Sequence, residues 1–422
     1  MTAAAPAEPA RHPLAFGFAI LLTAGMAGLV GAACALTLHV IQHLAYGYAL
    51  SDLWGDQSFL DGVRAAHPAR RLTVLILCGL VAGVGWWLLF RLGRPLRSIA
   101  QVVADPAQPM PPGATLVHGA LQIVTVAMGS PVGREVAPRE IGAMLGGWLA
   151  RRLALAPEDR RTVIACGAGA GLAAIYNVPL GGAVFTLEVL LRTLAPRQAV
   201  AALTACTIAA WVAWIGLGDA VAYRIPELVM DPSLVIWAVL CGPVFGIAGL
   251  GYGRITAQSR KVALTDARMI PACLAVFALI GLASMAVPEL LGNGHGPVEA
   301  GLEGEIGPRL AAVLIALKLV AVVMVLRAGA EGGLMTPAMT IGALLALILG
   351  AGWVALTGIA ITPGSFALIG AAALLSVSMK MPLAAVVLTV EFTRASPDFL
   401  IPTILAVAGA QAAAGLIPER RP

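Results

Sequence analysis

Charge is what this chain has least of. Asp, Glu, Lys and Arg make up 12% of its 422 residues, where an average soluble domain carries roughly a quarter. So few charges cannot coat a water-soluble body of this size. A soluble enzyme, a disordered protein and a nucleic-acid binder are excluded as first readings. Aromatic residues are also sparse, at 5%. The nine Asp all lie outside the long apolar runs and there is no HExxH, which argues against an aspartyl or zinc intramembrane protease. The six cysteines (Cys34, Cys78, Cys166, Cys206, Cys241 and Cys273) are scattered through apolar segments without CxxC spacing. They read as small packing residues rather than disulfides or metal ligands.

What is present is apolar surface. Hydrophobic residues make up 59% of the chain, and the mean hydropathy is +0.90. Acidic and basic residues are absent from 13–51, 72–90, 114–133, 162–187, 198–218, 232–253, 269–288, 332–379 and 401–418. Only Lys318 interrupts 310–326. A membrane-crossing helix takes about 20 apolar residues, so the chain has room for many. Continuous runs, rather than alternating segments of about ten residues, exclude a transmembrane β-barrel. The 48 glycines suit close helix packing in lipid. The net charge of +5 sits largely in pairs such as Arg151-Arg152, Arg160-Arg161 and Arg260-Lys261, placed between apolar runs as loop-borne cations are. The expected fold is an all-α polytopic membrane protein whose partners are lipid and a small solute, not nucleic acid.

Several apolar stretches are interrupted by proline: Pro138, Pro179, Pro337, Pro363 and Pro382. A helix broken inside lipid is tolerated only where it is buried or lines a cavity. The N-termini of such half-helices carry partial positive charge and free N–H groups, and so bind anions. Broken and re-entrant helices are therefore predicted.

An internal repeat organises the chain. The 22 residues from Gly167 (GAGAGLAAIYNVPLGGAVFTLE) overlay those from Gly370 (GAAALLSVSMKMPLAAVVLTVE) with nine identities. Glu188 falls on Glu391 and Pro179 on Pro382. At a nearly equal offset, IGAML from Ile141 matches IGALL from Ile341, with Gly133 over Gly333. The expected organisation is a loose tail over 1–12, a first transmembrane repeat over 13–218, a connection over 219–232, a second repeat over 233–418 and a tail over 419–422. No regulatory cytoplasmic domain is expected.

Charged residues inside membrane segments are functional candidates. The densest cluster is GSPVGREVAPREIGA, from Gly129, which places Arg134, Glu135, Arg139 and Glu140 between two apolar runs. A carboxylate at a helix N-terminus fills an anion site, or swings out and frees it. Protonation favours leaving, which ties such a gate to pH. A surface loop of paired charges is the other reading of the same residues. Glu188 and Glu391 read as capping or pairing groups. Lys318 and Lys380 either draw anions in or snorkel to the interface. The Gly-rich GNGHGPVEAG from Gly292 lacks the Lys and Ser/Thr of a phosphate loop and reads as a turn.

These motifs resemble those of the CLC chloride channels and chloride/proton antiporters. GREVAPREIGA is similar to the family's GREGP-type motif, and GGLMTPAMTIGALL, from Gly332, to its GxFxP motif. GAGAGLAAIYNVPLGGAVFTLE is similar to its small-residue stretch ending in Asn-x-Pro-Leu and Glu. VVLTVEFTRASPDFLIPTILA, from Val386, is similar to its late helix pair. The resemblance implies a CLC-like inverted-repeat fold and a homodimer with one pore per subunit. It also implies a bacterial-type member in the inner (plasma) membrane, without CBS domains. The protein would then not be an enzyme, and would need no cofactor, with chloride as its bound substrate. Glu135 matches the gating glutamate. Gly133, Arg134, Gly333, Leu334, Met335 and Thr336 match the anion-binding positions, where backbone N–H groups hold the ion weakly enough to release it.

The chain also departs from the family pattern. The serine of the family's GSGIP motif is not matched in Gly93-Arg94-Pro95-Leu96-Arg97-Ser98, where Ser98 is the nearest hydroxyl. The pore tyrosine of the last helix has no counterpart. Val189 stands where antiporters carry an internal proton glutamate; Glu140 and Glu188 are the acids left for a proton route. From these departures, passive channel-like conduction is placed slightly ahead of chloride/proton exchange. Two missing hydroxyls imply looser selectivity, with chloride as the expected ion and fluoride or nitrate as alternatives.

Overall fold

Proline sets the start of most helices in this chain. In the computed structural model, which describes residues 13–48, 58–219, 221–223, 225, 228 and 230–418, the first repeat begins with α1 (Pro13–Tyr46), α2 (Phe59–Ala65), α3 (Pro68–Leu92), α4 (Ile99–Ala104) and α5 (Pro112–Ala127). It continues through α6 (Val136–Arg152), α7 (Pro157–Tyr176), α8 (Pro179–Phe185) and α9 (Pro196–Leu217). The second comprises α10 (Ser233–Lys261), α11 (Met269–Ala286), α12 (His295–Leu302), α13 (Pro308–Arg327) and α14 (Met335–Thr357), then α15 (Pro363–Ser378), α16 (Pro382–Thr393) and α17 (Leu400–Gly415). Proline suits the first helical turn because its missing N–H would have no partner there anyway. Pro179, Pro363 and Pro382 thus open helices. Pro138 and Pro337 stand third in α6 and α14, still within the first turn.

Eight of the described helices are long and apolar enough to cross a membrane. Shorter ones, such as α5, α8, α15 and α16, are the broken pieces that the prolines predict. No β-strand longer than one bridge occurs among the described residues. The tails over 1–12 and 419–422 lie outside the described residues, as does part of the connection over 219–232. The chain is an all-α, polytopic, integral membrane protein.

The two repeats use the same packing. In the first, α1 lies on α7 and α9, and α6 on α7. In the second, α10 lies on α15 and α17, and α14 on α15. Lipid gives apolar helices no reason to leave it for one another, so contact is won by close approach over small residues. A Cβ on Gly142 would fall 2.2 Å from the Gly167 carbonyl oxygen, and one on Gly342 would fall 2.4 Å from that of Gly370. The repeated glycines are the crossing points of α6 on α7 and of α14 on α15.

Two carboxylates join the repeats reciprocally. Glu188 accepts from the N–H groups of Leu383 (2.9 Å) and Ala384 (2.7 Å), in the first turn of α16. Glu391 accepts from Leu180 (2.9 Å) and Gly181 (2.6 Å), in the first turn of α8. Each repeat therefore caps a short helix of the other, and equivalent residues exchange roles across a local two-fold relation.

Candidate functional site

The site forms where two chain reversals meet. Gly133 and Gly333 pair as an antiparallel bridge, their N–H groups donating to each other's carbonyls at 2.7 and 2.8 Å. Glu135 stands at the N-terminus of α6. Its carboxylate crosses to the other repeat, where Oε1 accepts from the Met335 N–H at 2.9 Å, at the N-terminus of α14. The group is buried, with 1% of its surface exposed. A Cβ on Gly133 or Gly333 would lie 2.0 or 1.9 Å from its oxygens. Only glycine leaves room for a carboxylate pressed against the backbone on both sides.

A hydroxyl pair completes the wall. Tyr176, the last residue of α7, donates from its O–H to Glu135 Oε2 at 3.4 Å, and its oxygen lies 3.0 Å from Thr336 Oγ1. The Arg134 guanidinium packs 5.0 Å from the centroid of the Tyr176 ring, whose edge meets Phe392. Tyr176 escaped the sequence reading, which looked for a tyrosine in the last helix. Its signal was its place, directly before the Asn-Val-Pro-Leu run that turns α7 into α8.

The other candidates are dispersed. Leu334 stands before α14 as its N-cap. Ser98 is exposed and caps α4, accepting from the Gln101 N–H at 3.2 Å. No hydrogen bond joins it to Glu135 among those the structure describes. Glu188 holds α16, as described above. Glu140 makes no hydrogen bond to Glu135 among those the structure describes, and its Oε2 lies 3.6 Å from His118 Nε2. Among the described residues Lys318 neither reaches the surface nor pairs with an acid. It is fully buried, and its Nζ donates to the Gly292 carbonyl at 2.5 Å. It lies 15 residues before Gly333, as His118 lies 15 before Gly133, so each repeat places a nitrogen base behind its glycine turn. Lys380, with φ of 54°, takes the left-handed conformation between α15 and α16, as Asn177 (56°) does between α7 and α8. Gly292 and Gly294, also at positive φ, make the turn into α12.

An anionic group thus fills a buried pocket lined by the backbone N–H of one helix start and by two hydroxyls. Residues 78–415 match the family described as Voltage gated chloride channel. The chain belongs to the CLC family. It is 30% identical over 414 residues to the voltage-gated ClC-type chloride channel ClcB of Salmonella dublin, covering 92% of this chain and 95% of that one. It is 26% identical over 294 residues to the H(+)/Cl(-) exchange transporter ClcA of Vibrio vulnificus, covering 67% of this chain and 62% of the relative. Among solved structures, a slow cyanobacterial Cl-/H+ antiporter superposes with a TM-score of 0.82 at 19% identity, covering 96% of this chain and 95% of that one. A CLC-type fluoride/proton antiporter superposes with a TM-score of 0.64 at 19% identity, over 94% of both chains. At these identities the structural likeness speaks for the CLC fold. This CLC protein transports anions across a membrane and is not an enzyme.

Proposed function

We propose that the protein exchanges chloride for protons, with Glu135 as the group that handles both. The observation that carries this reading is the Glu135 carboxylate hydrogen-bonded to the Met335 N–H between two glycines. In that place it does what a bound anion would do, so chloride enters only when the carboxylate leaves. A proton on the carboxylate removes the charge that the Met335 N–H holds, and releases it. Proton arrival and anion entry are thereby the same event. The likeness to ClcA of Vibrio vulnificus, whose name states H(+)/Cl(-) exchange, supports exchange over the passive conduction that the missing glutamate at Val189 had put slightly ahead.

Gly133, Gly333, Leu334, Met335 and Thr336 line the anion position, with Arg134 bracing the wall through Tyr176. Ser98 and Glu188 have structural roles as caps. The protein acts as a homodimer in lipid, with chloride as its substrate; fluoride or nitrate remain the competing ions. The test is a reconstituted vesicle with a chloride gradient and no proton gradient. Uphill proton movement in fixed ratio to chloride is expected. Chloride flux with no proton movement would return the reading to a passive channel.

A further inference from the structure

A second titratable cluster lies beside the glycine bridge, behind Glu331, which directly precedes Gly332 and Gly333. Its centre is His118 of α5, 3% exposed. The indole N–H of Trp86, which can only donate, gives its hydrogen to His118 Nδ1 at 3.0 Å. The neutral ring therefore carries its own hydrogen on Nε2. That nitrogen faces two acids, Glu140 Oε2 at 3.6 Å and Glu331 Oε2 at 3.8 Å. Glu140 is 14% exposed and Glu331 45%, so one carboxylate is interior and the other opens to the protein surface. Arg260 of α10 is within electrostatic reach of both acids, and Arg139 of Glu140. Its Nη2 donates to the Gly332 carbonyl at 2.7 Å, which fixes the cluster to the backbone against which Glu135 rests.

Among the described residues the buried Tyr252 hydroxyl lacks a hydrogen-bond partner, and the Gln122 amide reaches the Glu140 carboxylate. Gln122 is fully buried and Tyr252 is 4% exposed. Gln122 lies beside Glu140, and Tyr252 is within electrostatic reach of both Glu135 and Arg260. Unmet polar atoms in a protein interior are costly, and they mark places where a water or a proton is held. Two carboxylates facing one N–H repel when both are ionised, and a proton on either relieves this.

We infer that Glu331 and Glu140, on either side of His118 Nε2–H, form the internal proton-loading site, and that the Tyr252 hydroxyl relays protons from it to Glu135. The inference rests on the exchange reading above and supplies the acid that Val189 lacks. A proton bound from solvent by Glu331 passes to Glu140. Glu140 then protonates the Tyr252 oxygen through water, as the tyrosine O–H is handed, again through water, to the Glu135 carboxylate. No bond other than O–H forms or breaks, and His118 keeps its single proton throughout.

The test measures chloride and proton flux together in vesicles holding wild-type protein, Glu140→Gln, Glu331→Gln or Tyr252→Phe. In the Glu140 and Glu331 variants chloride still moves, while protons moved per chloride fall at least tenfold. Tyr252→Phe lowers the same ratio. Glu331 is partly exposed, so its variant carries the test if the Glu140 variant does not assemble. A wild-type ratio retained in both acid variants overturns the loading site alone. A wild-type protein that moves no protons overturns the exchange reading, and the loading site with it.

Discussion

Glu135 is bound as an anion would be, by the N–H of Met335 and the hydroxyl of Tyr176. Removing the carboxylate therefore leaves the anion position open. Glu135→Ala should lose most of the pH dependence of flux, and Glu135→Gln should behave as the permanently protonated form. Flux measured in vesicles over a range of pH checks both, and pH dependence retained by both would reject Glu135 as the gate. Tyr176→Phe removes one donor from the same position. A hydrogen bond to a charged group is worth about 1.5–3 kcal/mol, and this one is long at 3.4 Å. A loss near 1 kcal/mol, roughly fivefold in chloride affinity, is expected by titration calorimetry, with chloride separated less sharply from larger anions. The sequence anticipated looser selectivity from two missing hydroxyls. The Tyr176 and Thr336 hydroxyls stand beside Glu135, so tyrosine and threonine variants should loosen it further.

At the scale of elements, the short helices depend on partners from the other repeat. α8 and α16 have seven and twelve residues, too few to be stable alone, and neither has a side-chain cap of its own. Glu391 and Glu188 supply those caps from across the repeat boundary. Glu188→Gln or Glu391→Gln keeps the shape but removes the charge that answers each helix dipole. A loss of about 1–2 kcal/mol for either is expected, read as a lower melting temperature in detergent. Proton coupling should survive Glu188→Gln, since its carboxylate is occupied by two N–H groups. Gly142→Ala and Gly342→Ala press a methyl into a backbone carbonyl, and each should cost about 1–3 kcal/mol by the same assay. The prolines and repeated glycines made these elements legible in advance. The reciprocal caps were legible only as a matched pair of glutamates.

For the whole molecule, the repeated pattern of helix contacts gives Glu135 two similar halves to sit between. Exposed Leu180 on α8 and Leu383 on α16 occupy equivalent places on the face where the repeats cap each other. Small-residue helices at this face are the expected homodimer contact. Light scattering of the detergent-solubilised protein should give twice the chain mass, and Leu180→Arg with Leu383→Arg should shift it towards the monomer. A monomeric wild-type protein at micromolar concentration would count against the dimer.

The sequence by itself determined the membrane setting, the broken helices and the two-repeat plan, and singled out Glu135. Each of these rests on local facts: charge density, proline in a first turn, glycine at a crossing, and a motif read along the chain. The tertiary structure decided what those residues touch. Met335 lies 200 positions from Glu135, and Tyr176 belongs to a different helix from either. His118, Glu140, Glu331 and Arg260 come from three helices and a turn. Such contacts depend on how the two repeats close on each other, which no spacing along one segment records. For the same reason Glu140, named from sequence as an acid left for a proton route, came to share His118 with Glu331 only after folding.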